Sequence, residues 1–201
     1  MRLVVFTRPE FFGGEAGEIA ELLEAGVDAV HLRKPGADLR QCAGLLAGVP
    51  EAWHGSIVVH DHFELLHDFG LKGVCLNSRR GNVPQGISPG AVCCGCHSLD
   101  ELRQRKAVCD AGAGKPFDYL FLSPIFDSIS KQGYGAAFDS RQLREAAACG
   151  LIDSRVVALG GVTADKCKQI AQWNFGGMAM LGAVWGKPRS ERIEMIKELK
   201  G

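Results

Sequence analysis

The sequence has no net charge and no apolar run long enough to cross a membrane. Its 23 Lys and Arg residues balance its 23 Asp and Glu residues. This balance argues against a broad nucleic-acid surface, although a local basic pocket remains compatible with it. We expect no membrane partner, because a spanning helix needs about 20 apolar residues. The N-terminus lacks a secretory-signal profile, so we expect a cytoplasmic chain.

Eight cysteines are present without a sign of an oxidising compartment. Most of them have apolar neighbours, and we interpret them as reduced thiols that pack as small hydrophobic side chains. Residues 93–97 (CCGCH) suggest zinc at first sight. Zinc sites usually need a second spaced pair of ligands, and none is obvious downstream. The cysteine pattern therefore does not favour a metal site.

Short apolar runs alternate with amphipathic segments along the whole chain. Eight runs are typical of strands: 3–6, 27–32, 56–60, 72–76, 91–96, 118–122, 155–159 and 176–181. Helices are predicted near 15–25, 38–47, 62–69, 98–110, 139–149, 163–173 and 190–200, with N-caps at Asp38, Ser98, Thr163 and Ser190. Residues 77–90 indicate a loop in place of the fourth helix.

The strands are apolar throughout, which indicates burial on both faces. Eight such units predict a single-domain (β/α)8 TIM barrel over residues 1–201, with its active site at the C-terminal ends of the strands. A doubly wound sheet is the alternative, but it normally needs only five or six strands.

The loop after the sixth strand, within residues 117–135, has the most informative polar pattern. It presents Ser128, Ser130 and Lys131 close together. Ser donates hydrogen bonds from a short side chain, and Lys supplies a compact positive charge. Gly160, Gly161 and Gly182 follow the last two strands, where such barrels often bind phosphate through backbone N–H groups. These residues predict a small phosphorylated ligand.

Other polar residues follow the second and third strands. Asp61 is either a metal ligand or the cap of the next helix. It is flanked by His60 and His62, a pair that can bind transition metals. His31 and His97 are either proton-transfer groups or hydrogen-bonded wall residues.

Seven segments carry a family resemblance, and they occur in order between about residues 2 and 186: HLRKPGAD, VVHD, GVCLNS, CHS, DYLFLSPIFDSISK, VVALGGV and GGMAMLGAVW. In them the chain resembles the thiamine phosphate synthase and thiazole tautomerase family. SPIFDSISK is the most specific part, whereas ALGGV occurs in many phosphate-binding barrels. A synthase of this family joins a pyrimidine methyl diphosphate to a thiazole phosphate and releases diphosphate. That reaction needs charge stabilisation on the leaving group.

The resemblance implies a role for each matching residue. Arg33 matches the family arginine, and Lys34 stands beside the position of the family lysine, which implies a catalytic role for both. Ser128, Ser130 and Lys131 match the phosphate-holding loop, Ser130 and Lys131 with catalytic roles. Gly160, Gly161 and Gly182 would meet the thiazole phosphate, with His31 and His60 as further substrate contacts. Asp61 matches one carboxylate of a Mg²⁺ site, while His60 replaces an Asn and Arg80 replaces the second carboxylate.

Two alternatives stay open beside a magnesium-dependent transferase. A thiazole tautomerase moves a proton and needs an acid/base group in place of the metal. The tautomerase pattern has His in the loop after the sixth strand, and this chain has Pro124 there, as synthases do. The second alternative is a non-catalytic barrel that binds a phosphorylated ligand. The resemblance favours the synthase and implies a possible homodimer.

Overall fold

Eight parallel strands form a closed barrel. The computed structural model of the chain describes residues 1–77, 80–110, 117–127 and 135–201. Each strand pairs with the next in sequence, and β8 pairs with β1 to close the sheet. The strands are β1 (Arg2–Phe6), β2 (Ala29–Leu32), β3 (Ile57–Val59), β4 (Gly73–Leu76), β5 (Ala91–Cys96), β6 (Tyr119–Leu122), β7 (Val156–Ala158) and β8 (Gly177–Met180). The predicted (β/α)8 class is confirmed.

Helices surround this barrel. They are α1 (Glu15–Glu24), α2 (Leu39–Ala47), α3 (Leu65–Phe69), α4 (Leu99–Asp110), α5 (Ser140–Ala148), α6 (Cys167–Gln172), α7 (Gly182–Trp185) and α8 (Arg189–Lys200). Between β4 and β5 the described residues form no helix, as predicted. The short α7 and the 3-10 turn Glu51–Ser56 were not predicted. Within the described ranges, no helix combines the length and the apolar character that crossing a membrane requires.

Two of the four predicted N-caps are confirmed. Asp38 accepts a hydrogen bond from Gln41 N, and the Gln41 side chain accepts one from Asp38 N. Ser98 Oγ accepts a hydrogen bond from Glu101 N at 3.0 Å. Thr163 stands at the N-cap of a 3-10 turn, Ala164–Lys166, that precedes α6, and its side chain makes no capping hydrogen bond. The cap at Ser190 is wrong because α8 already begins at Arg189, directly after Pro188.

The strands separate two apolar layers. The barrel interior holds Val4, Phe6, Val58, Cys75, Cys93, Tyr119, Phe121, Val157 and Ala179. The larger layer lies between the strands and the helices, and it includes Cys94 and Cys96. Successive residues of a strand point to opposite faces, so the cysteines of residues 93–97 do not converge on one point. Among the described cysteines, seven are free thiols.

A buried ion pair connects the end of β2 with the start of α1. Lys34 Nζ lies 2.6 and 2.7 Å from the two carboxylate oxygens of Glu15 and 2.9 Å from Glu10 O. The two charged side chains are 0% and 1% exposed. Burial raises the pKa of the Glu15 carboxyl, and the Lys34 ammonium opposes that increase. The pair holds the first helix against the rim of the barrel on which Arg33 stands.

We predict that Glu15→Gln lowers the free energy of unfolding by about 3–5 kcal/mol, because it leaves the Lys34 charge buried without its partner. Urea denaturation measures the loss. The control is Glu145→Gln, which breaks the exposed pair with Arg141 and should change stability little. Equal small effects of both substitutions would contradict a stabilising role for the buried pair.

Candidate active site

A cavity of 590 Å³ opens at the C-terminal ends of the strands. We call it the mouth cavity; it is lined by Phe6, Arg33, His60, Cys75, Leu76, Asn77, Cys94, Gly95, His97, Glu101, Arg105, Phe121, Ser123 and Leu159. Its volume is in the range of about 300–1,000 Å³ that is typical of small-molecule sites. A larger hollow of 760 Å³ lies among the ends of α2 and α3 and the 3-10 turn at 51–56. The mouth cavity is the one at the face where barrels carry out chemistry.

Arg33 is positioned by a buried threonine. Thr7 Oγ1 accepts a hydrogen bond from Arg33 N at 3.0 Å and donates one to Arg33 O at 3.3 Å. Thr7 is itself 2% exposed, so the ends of β1 and β2 are tied together from inside. The Arg33 side chain remains exposed and lines the cavity. A cation is therefore held at the rim by a rigid piece of backbone.

Lys34 points away from Arg33 and does not line the mouth cavity. Its ammonium uses its three N–H donors on Glu15 and on Glu10 O. The structure thus separates two residues that the sequence analysis placed in one catalytic group.

A chain of hydrogen bonds runs from the cavity into the barrel. His60 lines the cavity, and its Nε2 lies 2.9 Å from His31 Nδ1. His31 Nε2 lies 2.6 Å from Tyr119 Oη. Burial, with a smaller effect of His60, lowers the pKa of His31 well below its ordinary value. A neutral imidazole donates at one nitrogen and accepts at the other, so His31 can connect His60 and Tyr119 as a proton relay.

Three glycine amides follow the last two strands of the barrel. Gly160 has φ 91° and Gly161 has φ 63°, conformations that favour glycine. A Cβ at Gly161 would stand 2.2 Å from Asp127 O, so the two loops pack too closely for a side chain. Within the described ranges, the amides of Gly160, Gly161 and Gly182 donate no backbone hydrogen bond. They can serve a ligand with several oxygen atoms.

Ser128, Ser130 and Lys131 lie outside the described residues. The described chain stops at Asp127 and resumes at Gly135. The two sides are connected by a hydrogen bond from Ala136 N to Asp127 Oδ1 at 2.7 Å. Ile125 N and Phe126 N also donate to Leu159 O and Gly160 O, each at 3.0 Å. The base of this loop is therefore fixed against the glycines that follow β7.

Asp61 is paired with Arg80. Arg80 Nε lies 3.3 Å from Asp61 Oδ1, and both side chains border a shallow pocket of 270 Å³ with Gly36, Ala37 and His62. Mg²⁺ prefers several oxygen ligands, but here one carboxylate faces a guanidinium. His62 Nε2 bonds Ala37 O at 2.9 Å. In the described part of the chain, the one close group of three metal-binding side chains contains no carboxylate. These residues do not fit a magnesium site.

Helix α4 contributes residues that the sequence analysis missed. Glu101 and Arg105 line the mouth cavity, and Glu101 Oε2 accepts a hydrogen bond from His97 N at 2.8 Å. Ser123 Oγ lies 3.3 Å from His97 Nδ1. Residues four apart share a helix face, and that spacing was a usable signal for the pair on α4.

Comparison with known proteins decides the family. The family model described as thiamine monophosphate synthase matches residues 3–184. The chain belongs to the thiamine monophosphate synthase family. A crystal structure of thiamine phosphate pyrophosphorylase from Bacteroides thetaiotaomicron is similar, with a TM-score of 0.85 and 37% identity over 100% of this chain and 96% of that chain.

Curated members of the thiamine monophosphate synthase family match along most of their length. The thiamine-phosphate synthase of Methanoregula boonei is 28% identical over 98% of this chain and 94% of its own. That of Erythrobacter litoralis is 26% identical over 92% and 89%, respectively. The match to the family model includes the strand ends that carry Arg33, Asp61 and the glycines after β7 and β8.

We predict that His31 makes the folded state sensitive to acid. The pKa of His31 lies well below 6.5 in the folded chain. Below pH 6.5, His31 therefore binds a proton in the unfolded chain before it does so in the folded chain. The stabilising contribution is present above the ordinary pKa and is lost as the pH falls. His31→Gln should remove up to about one proton from the pH dependence of unfolding between about pH 7.5 and 5.5.

Denaturation midpoints across that range measure this effect. Gln172→Asn is the control, because Gln172 is exposed on α6 and the substitution removes no titratable group. The same pH dependence in His31→Gln and the unaltered chain would contradict the assignment.

Proposed function

We propose that this chain is a thiamine-phosphate synthase, a transferase that joins hydroxymethylpyrimidine diphosphate to thiazole phosphate. The observation that carries the proposal is that Gly160 and Gly161, whose amides donate no backbone hydrogen bond within the described ranges, directly follow Leu159 in the wall of the cavity that Arg33 also lines. Amides of this kind suit a phosphate group, and a guanidinium suits a leaving diphosphate. Membership of the family supports the same reaction.

In this proposal the two phosphorylated groups lie on different strand ends. Gly160, Gly161 and Gly182 hold the phosphate of the thiazole. Arg33 takes the diphosphate, together with Ser128, Ser130 and Lys131 of the adjoining loop. The bond between the pyrimidine methylene carbon and the diphosphate oxygen breaks, and its electron pair leaves with diphosphate. The thiazole nitrogen then gives its lone pair to that carbon. Fixed positive charge around the diphosphate stabilises the transition state.

The aromatic part of the cavity gives the two rings a place to meet. Phe6 and Phe121 are both buried and both line it. Their rings lie edge to face, with centroids 5.3 Å apart. An apolar wall excludes water from a reactive methylene carbon, which protects it from hydrolysis. We propose a positioning role for Lys34, which holds the segment of Arg33 through its pair with Glu15.

Magnesium remains a prediction from the resemblance. The family is generally metal-dependent, and the resemblance assigns Asp61 as one carboxylate ligand. The contact of Asp61 with Arg80 weakens that proposal, and no step above uses a metal. Two further predictions also remain: cytoplasmic localisation and a possible homodimer.

A specific observation favours a second function, the thiazole tautomerase. His60 faces the cavity and is backed by His31 and Tyr119, an arrangement that suits proton transfer. Pro124 weighs against it. A non-catalytic phosphate binder is the third reading, and it would be stabilised by ligand without turnover.

The test is an endpoint assay with purified protein, pyrimidine diphosphate and thiazole phosphate, with and without Mg²⁺. We predict thiamine phosphate as the product, detected after oxidation to its fluorescent form. Arg33→Ala should lower kcat/KM by at least about a hundredfold, because it removes charge from the departing diphosphate. Arg40→Ala is the control, since Arg40 is exposed on α2. No product beside an active reference enzyme would exclude the synthase.

We also predict that Arg80→Asp strengthens Mg²⁺ binding by at least about tenfold, because it replaces a repelling guanidinium with a second carboxylate. Titration calorimetry with Mg²⁺ alone measures the change. Arg103→Asp is the control, because it adds the same charge at an exposed position of α4. If Arg80→Asp binds Mg²⁺ no better than the control, Asp61 is not a metal ligand.

A further inference from the structure

A second group of reactive side chains lies inside the barrel, below the mouth cavity. His31 on β2, Cys75 on β4 and Cys93 on β5 place one ligand atom each within 4.8 Å of one another. Cys75 and Cys93 are directly opposite each other on the paired strands. All three side chains are buried, at 0%, 2% and 1% exposure. The proposed synthase reaction uses neither the Cys75 thiol nor the Cys93 thiol.

The spacing of these atoms approaches that of a metal-bound set. Three atoms at most 4.8 Å apart surround a point about 2.8 Å from each, whereas zinc lies about 2.3 Å from sulfur and 2.0–2.1 Å from imidazole nitrogen. Movements of about 0.5 Å at each sulfur and about 0.7 Å at the imidazole nitrogen therefore close a coordination triangle. The barrel strands bring the three residues together before any ion arrives.

The chemistry of the donors selects the ion. Two sulfur atoms and one imidazole suit d10 cations such as Zn²⁺ and Cu⁺, whereas Mg²⁺ and Ca²⁺ require oxygen ligands. The lowered pKa of His31 keeps its ring neutral and ready to bind. Burial raises the pKa of Cys75 well above its ordinary value, so Cys75 is a thiol in the empty site. A metal-bound cysteine is a thiolate, so binding of the ion releases protons.

Supporting residues and a path of entry are both present. A metal-binding imidazole usually gives its other nitrogen to a hydrogen-bond partner, and His31 has His60 on one nitrogen and Tyr119 on the other. Binding of the ion at either nitrogen replaces the hydrogen bond made there, and the other nitrogen keeps its partner. Cys75 belongs to this set of three side chains and also lines the mouth cavity, so the cavity is the route by which an ion would reach the site.

We propose that His31, Cys75 and Cys93 form a binding site for one thiophilic d10 cation, Zn²⁺ or Cu⁺, beneath the floor of the mouth cavity. Binding exchanges two thiol protons for the ion and leaves no oxidation state changed. The proposal is independent of the synthase reaction, because no step proposed for that reaction uses His31, Cys75 or Cys93.

The test is a titration of the reduced, metal-free protein with Cd²⁺, a spectroscopic substitute for Zn²⁺. We expect a sulfur-to-cadmium charge-transfer band that saturates at about one ion per chain, with about two protons released. Cys93→Ser should weaken binding by at least about tenfold, because serine is a poor ligand for a thiophilic ion. Cys96→Ser is the matched control: it lies on the same strand, is 0% exposed and belongs to the outer layer.

Two outcomes would overturn the proposal. The first is no saturating band, or an equal band in Cys93→Ser and Cys96→Ser. The second is a band that disappears in Cys149→Ser, which would place the ion at an exposed thiol. If Cys93→Ser does not fold, ¹¹³Cd NMR of the unaltered protein decides: a shift typical of two thiolates and one imidazole supports the site, and a shift typical of oxygen ligands overturns it. A second titration with Zn²⁺ and one with Cu⁺ distinguish the two ions.

Discussion

Closure of the sheet between β8 and β1 decides where each functional side chain can stand. Four residue pairs, from Arg2 with Gly177 to Val5 with Met180, join the last strand to the first. Because all strands are parallel, closure brings their C-terminal ends to one rim. Arg33, His60 and Ser123 are distant in sequence, yet they line one cavity for this reason. Without closure the same residues would be spread along an open edge.

The barrel interior combines apolar packing with an enclosed polar chain. Buried polar groups are costly unless each has a partner, and His31 has one at each ring nitrogen. Phe6 and Phe121 pack against its ring, with centroids 4.9 and 5.1 Å away. The polar chain is therefore packed between aromatic rings. His60 is the member of this chain that lines the mouth cavity.

The sequence predicted the barrel because burial on both faces produces apolar runs, and such runs are visible without a structure. It predicted the cap at Asp38 because a capping box depends on residues three apart. The caps at Thr163 and Ser190 failed because a preceding 3-10 turn and a preceding proline moved the helix starts. The sequence thus predicted a hydrogen bond where both partners lie within a few residues of each other and no neighbouring element shifted the helix start.

The candidate site was less predictable because its contacts join distant residues. The direction of Lys34 depends on Glu15, which is 19 positions away, and Arg80 meets Asp61 across the same separation. Thr7 supports Arg33 from 26 positions away. No periodicity reports such pairs. The positive φ of Gly160 and Gly161 was easier to anticipate, because glycine itself marks such backbone positions in a sequence.

The pairing of Asp61 with Arg80 has a consequence for how the chain responds to its surroundings. The occupancy of a dissociable ion follows its free concentration relative to Kd. A guanidinium is attached to the backbone and keeps its charge at any physiological pH. The positive charge that Arg80 places beside Asp61 therefore does not depend on the concentration of a free ion. At this position the cation that faces the carboxylate is part of the polypeptide and cannot dissociate.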